Sequence, residues 1–230
     1  GYPWFKCRAR DTFLSLPGLT LSIDEVDYFE DAMKTATRQL RQFMEEKEQT
    51  GLIKEMEQPD VPLWALWAIQ QYDHKVGSEA CMEHYGKLVD DIIDYLSANK
   101  HPIVELDDNG LLKVDGTKKA VTWMNSTSKG LPVVPRTGYV IEINALWYND
   151  LCFAEQLANA KGDNERAARL HDMAVKCGEA FVKTFVNPYG YLYDFVDGDK
   201  PNLCVRPNMI FPVAFDYSPL TPEQKRSVLD

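Results

Sequence analysis

Residues 143–181, INALWYNDLCFAEQLANAKGDNERAARLHDMAVKCGEAF, contain two apolar stripes on either side of a Gly-Asp turn. On both sides of the turn, apolar residues recur three and four positions apart, which is the period of an amphipathic helix. Gly162 is predicted to end the first helix and Asp163 to cap the second. Because two helices joined so tightly lie antiparallel, the stretch predicts a helix pair.

The chain before this pair shows the same organisation. Residues 63–69, LWALWAI, are apolar on all sides and predict a buried helix that ends near Gly77, with Ser78 as the cap of the next helix. Further upstream, Ser22 and Glu25 form a capping-box pattern ahead of another amphipathic stripe. That stripe consists of Val26, Phe29, Met33, Ala36, Leu40 and Phe43.

Two short strand patterns, residues 103–106 and 111–114, flank an Asn-Gly turn and predict a small β-hairpin. No run of βαβ units occurs. The fold class is therefore predicted to be all-α, built from antiparallel helix pairs with small β-hairpin insertions, and a binding pocket is expected among the loops at one end. At 230 residues with 45% hydrophobic content, the chain is expected to form one globular unit.

Charge and residue spacing narrow the range of ligands. The net charge of −10 disfavours nucleic acid and an anionic membrane surface as partners and favours a neutral or cationic ligand. The five cysteines are widely spaced without a CxxC pair, and His74, His84 and His171 share no ligand spacing, so neither a disulfide framework nor a metal site is predicted. No signal peptide and no apolar run of membrane-spanning length occurs, so a cytoplasmic location is expected by default.

The segment richest in ligand-binding side chains is residues 121–148, VTWMNSTSKGLPVVPRTGYVIEINALWY. It offers the flat ring of Trp123, the amide of Asn125, the fork-shaped cation of Arg136 and the carboxylate of Glu142. An aromatic face, a guanidinium, a carboxylate and amides are what a pocket needs to stack on a sugar and to hydrogen-bond its hydroxyls. We therefore expect the functional site here.

Two charged positions outside this segment have both a structural and a functional interpretation. Arg10 and Asp11 adjoin at a predicted helix start, where they serve either as a cap with a salt bridge or as ligands. Asp60 precedes the buried helix and is either its N-cap, with Pro62 in the first turn, or a ligand contact.

Several blocks occur in a fixed order: GYPWF with RDTFLSLPGL, TWMN with PVVPRTGYVIEINALWYN, and GYLYDFVDGD with RPNMIFP. Together they resemble the C-terminal amylo-α-1,6-glucosidase domain of glycogen debranching enzymes, especially the bacterial and archaeal type. The resemblance extends to about Phe211. It implies an (α/α)6 toroid of paired helices that hydrolyses the single α-1,6-linked glucose at a trimmed glycogen branch with inversion. The implied partner is glycogen or another branched α-glucan, and no metal or organic cofactor is implied.

The resemblance also implies roles for individual residues. Arg10 and Asp11 match a block that binds hydroxyls of the terminal glucose, and Trp4 would form a wall beside them. Asn125 occupies the position of the family's general-acid aspartate. The remaining residues expected to bind substrate are Asp60, Trp123, Arg136, Trp147, Tyr148, Arg206 and Asn208.

Asn125 departs from the family pattern, because an amide has no proton that titrates near neutral pH. The asparagine is compatible with a substitution that traps substrate and with a lineage that uses another acid. Glu142 is the nearest candidate acid in sequence, and its alternatives are a salt bridge to Arg136 and a charge at a helix start.

The family's general base lies in an HQG-x-x-W block, which does not occur in this sequence. Residues 1–230 are therefore expected to be part of one toroid domain, truncated at the C-terminus, in a longer parent chain with other domains. Two alternatives to the glucosidase remain: a catalytically impaired α-glucan-binding domain, and another α-glucosidase on the same toroid.

Overall fold

The computed structural model describes residues 6–48 and 51–230. The chain divides into two compact units, Gly1–Pro102 and Ile103–Asp230. Among the described residues, no helix combines the length and the apolar character needed to cross a membrane.

The first unit is built from helices, with one short two-stranded parallel sheet. Helix α2 buries the predicted stripe except for Val26, which is half-buried, and helix α3 is buried over most of its length, as its all-round apolar sequence predicts. The elements of this unit are β1 (Cys7–Arg8), α1 (Ala9–Leu19), a 3-10 turn (Leu21–Ile23), α2 (Val26–Glu46), β2 (Ile53–Lys54), α3 (Val61–Val76) and α4 (Ser78–Ser97).

Two predicted helix caps in this unit are wrong. The Ser22 hydroxyl donates to the carbonyl of Gly18 instead of capping α2, and Glu25 at the N-cap makes no side-chain cap bond. The 3-10 turn and the left-handed conformation of Asp24 carry Ser22 away from the helix start. Gly77 ends α3 as predicted, but it also occupies the N-cap position of α4, so Ser78 is the first helical residue and not the cap.

The second unit contains the predicted helix pair, α5 (Ile141–Lys161) and α6 (Asn164–Phe185), packed against each other. Gly162 ends α5 in the left-handed conformation, with φ of 76°. The Asp163 carboxylate accepts a hydrogen bond from the Arg166 backbone N–H at 3.1 Å. Both predictions for this turn are confirmed.

A five-stranded antiparallel sheet with the strand order β3-β4-β7-β8-β9 accompanies the pair. The predicted hairpin of β3 and β4 is present, with Val104 opposite Val114. The remaining elements are β3 (Val104–Leu106), β4 (Leu112–Val114), β5 (Thr127–Ser128), β6 (Leu131–Pro132), β7 (Gly138–Val140), β8 (Phe195–Asp197), β9 (Lys200–Pro201), a 3-10 turn (Pro207–Ile210), α7 (Phe211–Ala214) and α8 (Pro222–Leu229). The all-α class with small sheet insertions is therefore confirmed.

Strand β7 leads directly into α5 and pairs with β8. The two strands approach closely at Gly138, where an added Cβ atom would lie 2.2 Å from the carbonyl oxygen of Val196. Gly138 also has φ of +80°, which favours glycine. Because of this close pairing, residue 194, which precedes β8, lies next to residue 136, which precedes β7, and to residue 142 in the first turn of α5.

Candidate functional site

The centre of the candidate site in the second unit is a buried ionic network around Arg136. The Arg136 guanidinium pairs with both oxygens of Glu142, with Nη2 to Oε2 at 2.5 Å. It also donates to both oxygens of Asp194, from Nε at 3.0 Å and from Nη2 at 2.9 Å. A fifth bond, 3.0 Å long, reaches Thr122 Oγ1. All four side chains are buried.

The fold explains why these charges meet. Arg136 stands just before β7, Glu142 is in the first turn of α5, and Asp194 immediately precedes β8. The antiparallel pairing of β7 and β8 brings Asp194 beside Arg136 although 58 positions separate them. Charges removed from water need such partners, because the loss of hydration costs several kcal/mol per ion unless pairing offsets it.

A second cation completes the network. Arg206 Nη1 donates to Asp194 Oδ2 at 2.8 Å and to Asn202 Oδ1 at 2.9 Å. The Arg206 side chain is 19% exposed, so it forms the outer edge of the network. With Arg136 and Glu142, the network holds two cations and two carboxylates, and Asp194 is the group that both arginines share.

The network extends to an exposed aromatic ring through Asn208. The buried Asn208 amide donates from Nδ2 to Asp194 Oδ1 at 2.7 Å, and its Oδ1 accepts from the indole N–H of Trp123 at 2.8 Å. Trp123 is 45% exposed. Since Thr122 is bound to Arg136, two consecutive residues of this loop are tied to the buried charges.

Asn125 lies on the exposed side of this loop. Its backbone N–H donates to the carbonyl of Trp123 at 2.9 Å, which makes a tight turn. The Asn125 residue is exposed, and within the described part of the chain its side chain makes no hydrogen bond. The amide at the position of the expected acid is therefore open to a ligand.

The environment of Glu142 differs from that of Asn125. Both Glu142 oxygens are occupied by Arg136, and the residue has 1% of its surface exposed. Burial raises the pKa of the Glu142 carboxyl, and the Arg136 cation acts in the opposite direction. This geometry favours the ion-pair interpretation over that of a proton donor to a sugar, because a donor must reach the leaving oxygen.

The first unit contains a second buried ion pair. Arg10 binds both oxygens of Asp60, from Nε at 2.6 Å and from Nη2 at 2.8 Å. Asp60 Oδ2 also accepts from the indole N–H of Trp64 at 3.2 Å. Asp60 occupies the N-cap position of α3, but it makes no side-chain cap bond there. Asp11, next to Arg10, is exposed, and Trp4 lies outside the described residues.

The comparison with protein families decides the assignment. A family model described as amylo-alpha-1,6-glucosidase matches residues 1–230, which is the whole chain. The chain belongs to the amylo-alpha-1,6-glucosidase family. This confirms the resemblance found in the motif blocks and places the chain among glycoside hydrolase domains of the glycogen debranching type. A search of curated proteins gave no match.

Two residues that the sequence predicts as sugar ligands, Trp147 and Tyr148, lie apart from the ionic network. Trp147 is fully buried in α5, and its indole N–H donates to the carbonyl of Gly110 at 3.3 Å. Tyr148 is half-buried against Gly178 of α6, and burial raises the pKa of its hydroxyl. Both side chains are engaged in packing of this amylo-alpha-1,6-glucosidase family unit, and their ligand role stays a prediction.

Sequence reasoning did not single out Asp194, the residue that both arginines of this family member share. The signal available was weak: an aspartate within the motif block GYLYDFVDGD, directly before a short apolar strand. Its partners become visible only when β7 and β8 are paired. The network also brings together four predicted site residues, Arg136, Glu142, Arg206 and Asn208, and connects them to Trp123.

Proposed function

We propose that this chain recognises the α-1,6-linked glucose at a branch point of glycogen or another branched α-glucan and acts in its hydrolysis with inversion. One observation carries the proposal. The exposed Trp123 ring and the exposed Asn125 amide stand on one loop that is hydrogen-bonded to a buried ionic network. A ring held by its N–H and an amide open to solvent suit stacking on a sugar and hydrogen bonding to its oxygens.

In this proposal the residues have separate tasks. Trp123 stacks on a glucose ring, and Asn208 and Asp194 hold its indole in place. The Asn125 Nδ2 donates to the glycosidic oxygen but transfers no proton to it. Inversion needs a carboxylic acid and a carboxylate base roughly 6.5–9.5 Å apart. With asparagine at position 125 the departing oxygen takes its proton from solvent, so turnover is expected to be slow. We propose that the base that activates water comes from another part of a longer parent chain whose (α/α)6 toroid includes residues 1–230.

The predicted ligands of the first unit are proposed on the family resemblance. Asp11 is exposed and available to accept hydrogen bonds from sugar hydroxyls. Arg10 is committed to Asp60 by two bonds, so its contribution is to hold that carboxylate and any hydroxyl within reach of its remaining N–H groups.

The Asn125→Asp substitution tests the proposal in the complete parent enzyme. An aspartic acid restores a proton donor, so glucose release from a 6-branched oligosaccharide is expected to rise about 10²–10⁴-fold, the usual contribution of general acid catalysis. Ser126→Asp adds the same charge to the neighbouring exposed position and is expected to leave the rate unchanged. Equal rates for Asn125→Asp and the unmodified enzyme would contradict the assignment of position 125.

A second function, α-glucan binding without turnover, is favoured by two specific observations. Asn125 has no titrating proton, and both oxygens of the nearest carboxylate in sequence, Glu142, are bound to Arg136. This function predicts that the unmodified chain and Asn125→Asp bind a branched oligosaccharide equally well and release no glucose at any pH.

A further inference from the structure

The turn that follows α6 is stabilised by hydrogen bonds to the side chain of Asn187. The Asn187 side-chain oxygen accepts from the backbone N–H of Tyr189 at 2.9 Å and from that of Tyr191 at 3.3 Å. Gly190 between them has φ of +89°, a conformation that favours glycine. Asn187 itself is buried, so the turn is organised around an interior amide.

Neighbouring segments support the same turn from outside. The Ser227 hydroxyl of α8 donates to the carbonyl of Gly190 at 2.7 Å. The Tyr191 hydroxyl donates to the carbonyl of Leu203 at 3.3 Å. With Asn187, these contacts fix the turn on three sides, so that a ligand meets side chains that are already ordered. Such preorganisation lowers the entropic cost of binding.

The rigid turn displays two tyrosine rings. The Tyr189 and Tyr191 rings are stacked with their centroids 6.2 Å apart and their planes inclined by 23°. Tyr189 is 72% exposed, and Leu203 in the adjoining segment is exposed as well. Exposed apolar groups gathered in one place mark binding surfaces. We call the two rings the tyrosine platform.

The turn that carries the tyrosine platform has no charged side chain of its own, which suits a neutral ligand. Residues 186–193, VNPYGYLY, contain no charged side chain, although 26% of the chain is charged. Aromatic faces bind the C–H faces of sugars, and this stacking depends on the ring and not on the hydroxyl.

We propose that the tyrosine platform is an auxiliary site for the α-1,4-linked main chain of the glucan, separate from Trp123 and Asn125. The choice of an α-glucan rests on the proposed function. Within the second unit the platform is connected to the ionic network, because the segment that accepts the Tyr191 hydrogen bond continues to Arg206, which binds Asp194. A branched glucan has a main chain as well as a branch, and the platform binds the main chain.

The test is the affinity of the chain for maltoheptaose, measured by titration calorimetry. Tyr189→Ala and Tyr191→Ala are expected to weaken binding by about tenfold or more, because each removes a stacking face. Tyr189→Phe keeps the ring and is expected to bind like the unmodified chain. Tyr28→Ala removes a tyrosine that is 65% exposed on α2 and serves as the matched control, with unchanged affinity expected.

Three results would overturn the platform proposal. The first is that the unmodified chain does not bind maltoheptaose, and the second is that the alanine variants bind it as tightly as the unmodified chain. The third is that the unmodified chain binds a linear β-1,4-linked glucan as tightly as maltoheptaose. Glucose release from a short 6-branched oligosaccharide, measured in the parent enzyme, separates this proposal from the proposed function. Binding that depends on Tyr189 and Tyr191 without any glucose release upholds the platform and overturns the glucosidase. Glucose release by the parent enzyme, together with a maltoheptaose affinity that the two alanine substitutions do not change, upholds the glucosidase and overturns the platform.

Discussion

The two units each bury an arginine against an aspartate, but the two arrangements end in different surroundings. In the first unit, Arg10 and Asp60 form a pair whose further bond goes to Trp64, a buried indole. In the second unit, Asp194 is shared by two arginines and connects through Asn208 to Trp123, an exposed indole. The same chemical pairing therefore anchors the interior of one unit and a solvent-exposed ring in the other.

The largest expected difference comes from removing the charge of each aspartate. Asp194→Asn leaves two buried or partly buried arginines short of a partner, and we expect the free energy of unfolding to fall by about 3–5 kcal/mol. Asp60→Asn affects one arginine and is expected to cost less. Urea unfolding followed by fluorescence measures both. If Asp60→Asn proves the more costly, the ranking of the two ion pairs is wrong.

The two tryptophans allow a finer comparison, because each donates its indole N–H to one of the networks. Trp64→Phe removes a bond to a carboxylate and is expected to lower the free energy of unfolding by about 1.5–3 kcal/mol, as hydrogen bonds to charged groups do. Trp123→Phe removes a bond to an amide and should cost only about 1 kcal/mol.

For affinity toward a sugar, we expect the opposite order: Trp123→Phe has the larger effect and Trp64→Phe the smaller one. Trp123→Phe loosens the ring proposed to stack on glucose, so weaker binding of a 6-branched oligosaccharide is expected, whereas Trp64→Phe is expected to leave affinity unchanged. Calorimetric titration decides the matter. A Trp64→Phe chain that stays folded but loses affinity would show that the Arg10–Asp60 pair also serves ligand binding.

The smallest expected effect concerns pH and the first unit. Burial and the nearby Lys47 cation lower the pKa of His101 to about 4. Because the unfolded chain, with a pKa near 6.5, binds the proton more readily, stability decreases as pH falls from about 6.5 toward 4. Between pH 7 and 6 the loss is about 1 kcal/mol or less. In thermal unfolding experiments, the His101→Phe variant is expected not to lose this stability as the pH falls. The His171→Phe variant, changed at an exposed site, is expected to lose it as the unmodified chain does.

The sequence predicts local features of both units well because their causes are local. Gly162 and Asp163 define the turn between α5 and α6 through their own backbone and side-chain preferences. The Ser22 and Glu25 pattern fails because the left-handed Asp24 redirects the chain between them. A capping pattern specifies which atoms can pair, whereas the preceding turn determines whether they do.

The candidate site is less predictable from sequence because its contacts are distant along the chain. Arg136 and Glu142 are six positions apart, and their pairing is one of the alternatives that the sequence supports. Asp194 meets Arg136 across 58 positions, and Asn208 meets Trp123 across 85. Such contacts depend on strand pairing, which periodicity does not reveal.

The close approach of β7 and β8 at Gly138 has a consequence for natural variation in this chain. Any side chain at position 138 would collide with the Val196 carbonyl and force the strands apart. The separation of Arg136 and Asp194 would then grow, although position 138 carries no charge and touches no sugar. A harmful variant there would thus show itself as a defect in the glucan recognition proposed for this unit, and its cause would lie in a residue that has no side chain at all.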